Sequence, residues 1–185
     1  MKIVIDLDNT LFYNDVVDVE CARYGYPRTT RHDLKDLPDF LINKCYDEFK
    51  NVERMNSFNP IDDALGVDKM LSDAGHYLIV ITSRDKLLEE GTTEMLKTHF
   101  PYINELHVIE SYNKQDLYDE LVPDVVIDDH SDHIYQALDA EVEYVFMVSN
   151  KNTTYNHSEV QGVLDRGAIV VKDVSFLCKF FGMKW

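Results

Sequence analysis

This chain is poor in the residues that punctuate, cross-link or carry positive charge. It has 7 glycines and 5 prolines among 185 residues, too few for a linker-rich or low-complexity chain, and no internal repeat or Ser/Gly-rich linker divides it. One well-filled core is expected. Cys21, Cys45 and Cys178 are an odd, widely spaced trio with neither a CxxC pair nor histidines at zinc-ligand spacing. A disulfide framework and a structural zinc site are excluded on that pattern, and reduced thiols are expected. Basic residues number 18 against 34 acidic ones, a formal charge of −16. That balance gives no electrostatic grip on a polynucleotide, although local donors can still hold a small anion. No apolar run approaches the ~20 residues of a membrane span, and no basic segment leads into a signal-type apolar stretch. A soluble, cytoplasmic protein is expected.

What the chain does have is an apolar strand that ends in acids, Lys2-Ile3-Val4-Ile5-Asp6-Leu7-Asp8-Asn9-Thr10. Side chains alternate along a strand, so Asp6 and Asp8 share a face while Leu7 turns to the core. Two carboxylates so close repel each other in apolar surroundings. A divalent ion that prefers oxygen ligands, such as Mg²⁺, is the expected neutraliser.

Further short runs rich in Val, Ile or Leu fall at 77–83, 105–109, 124–128 and 144–148, separated by segments of helical spacing. Strands that are apolar throughout and alternate with helices indicate a parallel sheet covered on both faces, an α/β Rossmann-like three-layer core with five strands. Ligands in that architecture sit beyond the strand carboxyl ends. The polar clusters Asp6/Asp8, Thr82-Ser83-Arg84 and Asp128-Asp129 all fall there. A short strand at 168–171 and a final helix around Phe176, Leu177, Phe180 and Phe181, capped by Asp173, are expected to pack on this sheet.

The stretch 13–60 carries no strand signal. It shows helical patterns at 15–24 and 38–55, with Tyr24-Gly25-Tyr26-Pro27 as a turn and Pro38 near a first turn. So long an excursion beside a strand end reads as a lid or cap, and the expected division is a core of 1–12 and 61–185 with a helical cap at 13–60. Phe40, Tyr46, Phe49, Tyr13 and Tyr24 either stack on a substrate or form the cap's own interior. Aromatics at helical spacing ordinarily face inward.

Taken together, Asp6-x-Asp8-x-Thr10, Thr82 ending an apolar strand, Lys114, and the Asp128-Asp129 pair after another strand resemble the four motifs of the haloacid dehalogenase superfamily of phosphohydrolases, in order and in spacing. The cap lies at that family's type-one position. Shorter matches at Ile81-Thr82-Ser83, at Val126-Ile127-Asp128-Asp129 and in the tail reaching Tyr155-Asn156-His157 resemble the 5′(3′)-deoxyribonucleotidases. Asn9 stands where the superfamily often has glycine, and asparagine tolerates the left-handed turn. Arg84 is a second departure, expected to cap the helix that follows.

The resemblance implies unequal roles. Asp6 would attack phosphorus and form an aspartyl-phosphate; Asp8 would act as general acid and base; Thr82, Ser83 and Lys114 would hold the phosphoryl oxygens. Asp6, Asp129 and the backbone carbonyl of Asp8 would bind Mg²⁺, with Asp128 either a ligand or a partner behind one. Lys151, also in a strand-end loop, competes with Lys114 for the basic role. His130, His133 and His157 read as surface or packing residues. The substrate implied is a nucleoside monophosphate, deoxyribonucleoside 5′-monophosphates above all. A phosphatase of another small metabolite or of nucleic-acid ends, and a regulatory protein that has lost turnover, are the alternatives.

Overall fold

The structure, a computed structural model, describes residues 1–26, 34, 37–150, 153 and 156–183. Pro27, Lys151 and Tyr155, named above from the sequence, lie outside the described residues.

Six strands form one sheet: β1 (Lys2–Ile5), β2 (Tyr77–Thr82), β3 (Glu105–Val108), β4 (Val125–Asp128), β5 (Tyr144–Val148) and β6 (Ile169–Val171). Their order is β3-β2-β1-β4-β5-β6 and every pairing is parallel. The five strands expected become six because β6 pairs with β5, Phe146 opposite Ile169 and Val148 opposite Val171. Three residues at a sheet edge carry too little pattern for sequence to decide whether they pair.

Alternation along buried strands divides the core in two. Ile3, Ile5, Leu78, Val80, Val125 and Ile127 face α4 (Val67–Asp73), α5 (Glu89–His99) and α9 (Phe176–Phe180). Val4, Ile79, Ile81, Val126 and Met147 face α6 (Gln115–Leu121), α7 (Ser131–Asp139) and α8 (Val160–Asp165). Both faces are dry, which is why these strands read as unbroken apolar runs. Burying each such side chain contributes roughly 1.5–3 kcal/mol. The termini of α5 suit its dipole, with Glu89 and Glu90 in the first turn and Lys97 and His99 in the last. Asp173, expected as the cap, stands two residues ahead of the observed cap position: Ser175 precedes α9 and Asp173 accepts its backbone N–H at 3.0 Å.

Between β1 and β2 the chain leaves the sheet and makes α1 (Val16–Arg23), α2 (Asp39–Phe49) and α3 (Val52–Met55). The single pattern over 38–55 is two helices, because Asn51 breaks it and its side chain accepts the Arg54 N–H at 3.1 Å. Leu41 and Cys45 of α2, Val16 and Cys21 of α1 and Met55 of α3 are buried, in the same apolar cluster as the α4/α5 side of the sheet. Tyr24 and Phe40 stay exposed and meet edge to face, ring centres 5.8 Å apart, and Tyr46 is half exposed. The inward orientation expected is therefore not found at Tyr24, Phe40 and Tyr46, whereas Phe49 packs, partly buried, against the cluster that holds Leu41 and Cys45. The two ends of this excursion meet. Phe12 bridges Pro60, Tyr13 N–H donates to Asn59 O at 3.0 Å and Ile61 N–H to Leu11 O at 2.8 Å. No described helix is long and apolar enough to cross a membrane.

Candidate active site

Successive connections lead away from β1 in both directions, so the carboxyl ends of β2, β1 and β4 open a crevice where strand order reverses. A cleft of about 410 Å³ lies there, floored by Asp6, Asp8, Thr82, Ser83, Arg84 and Asp129.

Beyond Asp6, whose backbone N–H still pairs with Ile127 O at 2.9 Å, the chain turns tightly: Leu11 and Phe12 N–H both reach Leu7 O, and Asn9 N–H reaches Phe12 O at 2.6 Å. Asn9 adopts φ +63°, the left-handed conformation that its short polar side chain tolerates, and its Oδ1 accepts the Asn14 N–H at 3.2 Å. The turn carries Asp8 into the cleft beside Asp6.

Lys114 is 1% exposed, and its ammonium spends all three donors inside the protein: on Asp6 Oδ1 at 2.6 Å, Asp128 Oδ2 at 2.7 Å and Ile81 O at 3.1 Å. It stands just ahead of α6, anchored by its own N–H on Gln136 Oε1 at 2.7 Å. Burial alone would depress its pKa, but Asp128 and Asp6 overcome that and hold the ammonium well above its ordinary value.

The three strand-end acids divide unequally. Asp6 is pushed up to about 6 by burial and then by the Asp128 charge, against the pull of Lys114. Burial also works to raise Asp128, yet His133 and Lys114 overcome it and keep this carboxylate well below the usual range. Asp129 is held well above that range by burial and by Asp6 and Asp128. Three buried carboxyls thus face one buried ammonium, and the remaining negative charge, carried on hard oxygen donors, fits a divalent cation of the Mg²⁺ kind. Asp6, Asp128 and His133 bring ligand atoms within 4.8 Å of one another, but the Lys114 ammonium already bonds both carboxylates of that trio. Asp6 and Asp129, which line the open cleft, are the better placed pair.

Thr82 and Ser83 also line the cleft. Thr82 Oγ1 accepts the Arg84 N–H at 3.4 Å, while the Ser83 hydroxyl is buried with no partner. A buried hydroxyl without a partner costs stability unless a ligand supplies one.

Two residues were misjudged from sequence. Arg84 does not cap the following helix; it is buried and reaches back to Asp8 with two N–H groups, at 2.8 and 2.7 Å. The cap there is Asp85, which accepts the Leu87 N–H at 3.0 Å. His133 is neither surface nor simple packing. Its Nδ1 lies 3.0 Å from Asp128 Oδ2, and its ring meets those of Tyr112 and His130, at 5.0 and 5.3 Å, along one cleft wall. Its position two residues into α7, beside the end of β4, was the available signal. Across the cleft, Val17, Leu34, Tyr46, Phe49 and Met55 supply an apolar wall.

Solved structures share this architecture along nearly their whole length. A conserved haloacid dehalogenase-like protein of unknown function from Agrobacterium tumefaciens superposes with a TM-score of 0.69 at 19% identity, over 98% of this chain and 97% of that one. A protein from Thermotoga maritima provisionally named β-phosphoglucomutase gives 0.65 at 12% identity, over 98% of each chain. A haloacid dehalogenase family hydrolase from Deinococcus radiodurans, with bound phosphate and sodium, gives 0.63 at 12% identity over 99% and 97%. The fold is haloacid dehalogenase-like. The sequence matches no protein-family model and no curated protein.

Proposed function

We propose that the protein is a Mg²⁺-dependent phosphomonoesterase that works through an aspartyl-phosphate and takes nucleoside 5′-monophosphates, deoxyribonucleotides foremost, with 13–60 serving as its cap. The observation that carries this reading is the buried Lys114 ammonium tying Asp6 to Asp128 at the floor of an open cleft. Lys114 pins Asp6 Oδ1 and so leaves the other oxygen to attack phosphorus. The P–O bond to the leaving group then breaks, and Asp8 passes a proton to the departing alkoxide. In the second half Asp8 takes a proton from water, which attacks phosphorus and releases Asp6. Thr82 and Ser83 donate to the phosphoryl oxygens, giving the Ser83 hydroxyl its missing partner. Asp6, Asp129 and the Asp8 carbonyl would hold Mg²⁺, which supplies positive charge that offsets repulsion between the carboxylate and a phosphate dianion.

The nucleoside is supported by the wall opposite. Val17, Phe49 and Met55 offer no hydrogen bonds to a sugar's hydroxyls but suit the face of a base, with Tyr46 at the rim. Three free, buried cysteines suit a reducing compartment such as the cytoplasm. Phosphate release from a panel of nucleoside 5′-monophosphates, sugar phosphates and 3′- or 5′-phosphorylated oligonucleotides, with Mg²⁺ or with EDTA, tests the reading. Release from mononucleotides first and only with Mg²⁺ is expected. Silence across the panel would leave a regulatory protein, and a preference for sugar phosphates would refute the base-binding wall.

A further inference from the structure

Arg84 is a buried charge that the reaction set out above does not use. Its side chain is 2% exposed, and a guanidinium so placed needs partners for its donors. It has them on two sides. Toward the core, Nη1 donates to Thr92 Oγ1 at 3.2 Å and lies 3.7 Å from Met95 Sδ, both on α5, with the Phe58 ring 5.8 Å away. Toward the cleft, Nε donates to Asp8 Oδ2 at 2.8 Å and Nη2 to Asp8 Oδ1 at 2.7 Å, in the paired geometry that only arginine offers a carboxylate. Asn14 Nδ2 adds a longer contact to Oδ1, 3.3 Å. Asp8 itself is the more open partner, its side chain 21% exposed to the cleft.

We infer that Arg84 is the positioning residue for Asp8: anchored by α5, its fork fixes the plane and reach of the carboxyl that moves the proton, and so governs departure of the leaving group rather than binding of the phosphate. This rests on the phosphomonoesterase reading. A carboxylate has about four lone-pair sites; Asp8 Oδ1 accepts from both Arg84 and Asn14, whereas Oδ2 accepts only the Arg84 Nε–H and keeps a site for the proton that is moved. Without the fork the 3.3 Å contact from Asn14 is what remains to restrain the Asp8 carboxyl. Misplacing a proton donor by about 1 Å costs on the order of 10²-fold in rate.

The role predicts a split between substrates. p-Nitrophenolate leaves without a proton; the alkoxide of a nucleoside 5′-monophosphate does not. Arg84→Lys, which keeps the charge and loses the fork, is expected to slow the single-turnover step that releases the leaving group by ~50-fold or more with the nucleotide and by less than ~5-fold with p-nitrophenyl phosphate, while the later hydrolysis of the aspartyl-phosphate, in which Asp8 is the base, slows alike for both. The double variant Asp8→Asn/Arg84→Lys should be no slower on the nucleotide than Asp8→Asn alone, because Arg84 acts through Asp8. If Arg84→Lys fails to fold, Thr92→Val removes one anchor of the fork without touching Asp8 and is expected to give the same split at smaller size. An even loss on both esters in the single-turnover step, or losses that multiply in the double variant, would overturn the role while leaving the phosphatase reading in place. Wild-type protein inert toward both esters removes that reading and this role with it.

Discussion

The floor and the wall of the cleft are built on opposite terms. At the floor and beneath it, Asp6, Lys114 and Asp128 are buried and interlocked, together with His133 of the adjoining wall, by hydrogen bonds of 2.6–3.0 Å, so that moving one disturbs the rest. On the wall, Phe49 and Tyr46 come from α2, whose Phe40 and Tyr46 are exposed and whose fully buried residues are Leu41 and Cys45. Charge in a low dielectric tolerates few arrangements, whereas apolar contact tolerates many. On the function proposed, chemistry is therefore written tightly on the strand ends, and substrate choice loosely on the helices.

The largest effect should come from the floor. Asp6→Asn is expected to cut turnover by at least ~10³-fold while the thermal midpoint holds or rises, since it removes a carboxyl that burial and Asp128 disfavour as an anion. Wild-type rates in that variant would move the nucleophile elsewhere. Lys114→Met should cost ~3–5 kcal/mol in denaturant unfolding, because two buried carboxylates lose their shared cation; a loss under ~1 kcal/mol would mean the network is slack.

The effect of pH is next in size. Asp6 and Asp129 both have folded-state values above their unfolded ones. The metal-free fold therefore keeps their full contribution below the ordinary carboxylate range, and loses that of Asp6 as pH rises through about 6 and that of Asp129 as pH rises through its own raised value. Mg²⁺ should offset that loss, so its stabilisation over EDTA, read as a thermal midpoint, is expected to be small near pH ~5 and larger near pH ~8. The opposite order would exclude these two acids as the cation's ligands. The wall should respond least: Phe49→Ala is expected to raise KM for nucleotides by ~5–10-fold and to leave KM for p-nitrophenyl phosphate within ~2-fold. Equal shifts for both esters would show that the wall does not read the leaving group.

The same contrast explains what could be read from the sequence. Strands buried on both faces announce themselves as unbroken apolar runs, and acids at their ends are conspicuous because nothing in a dry sheet requires them. Asp6, Asp8 and Asp129 stood out for that reason and do line one cleft with Thr82 and Ser83, whereas Lys114, named from the family resemblance, lies buried against Asp6. Arg84 was not legible, because its partner lies 76 residues away and no local spacing links them. Strand β6 was too short to read as paired, and the break at Asn51 was hidden by an apolar stripe that runs through it. The aromatics of α2 misled because periodicity identifies a face, not what that face meets.

The bridge between Phe12 and Pro60 has a consequence for how such a chain changes over time. Since the excursion leaves and rejoins the sheet at a single point, the sheet registers it only as a closed loop, and the entropy of closing a loop grows with the logarithm of its length. Segments can be lengthened, trimmed or exchanged behind that clasp at small cost to the strands beneath, and so to the arrangement of Asp6, Lys114 and Asp128 at their ends.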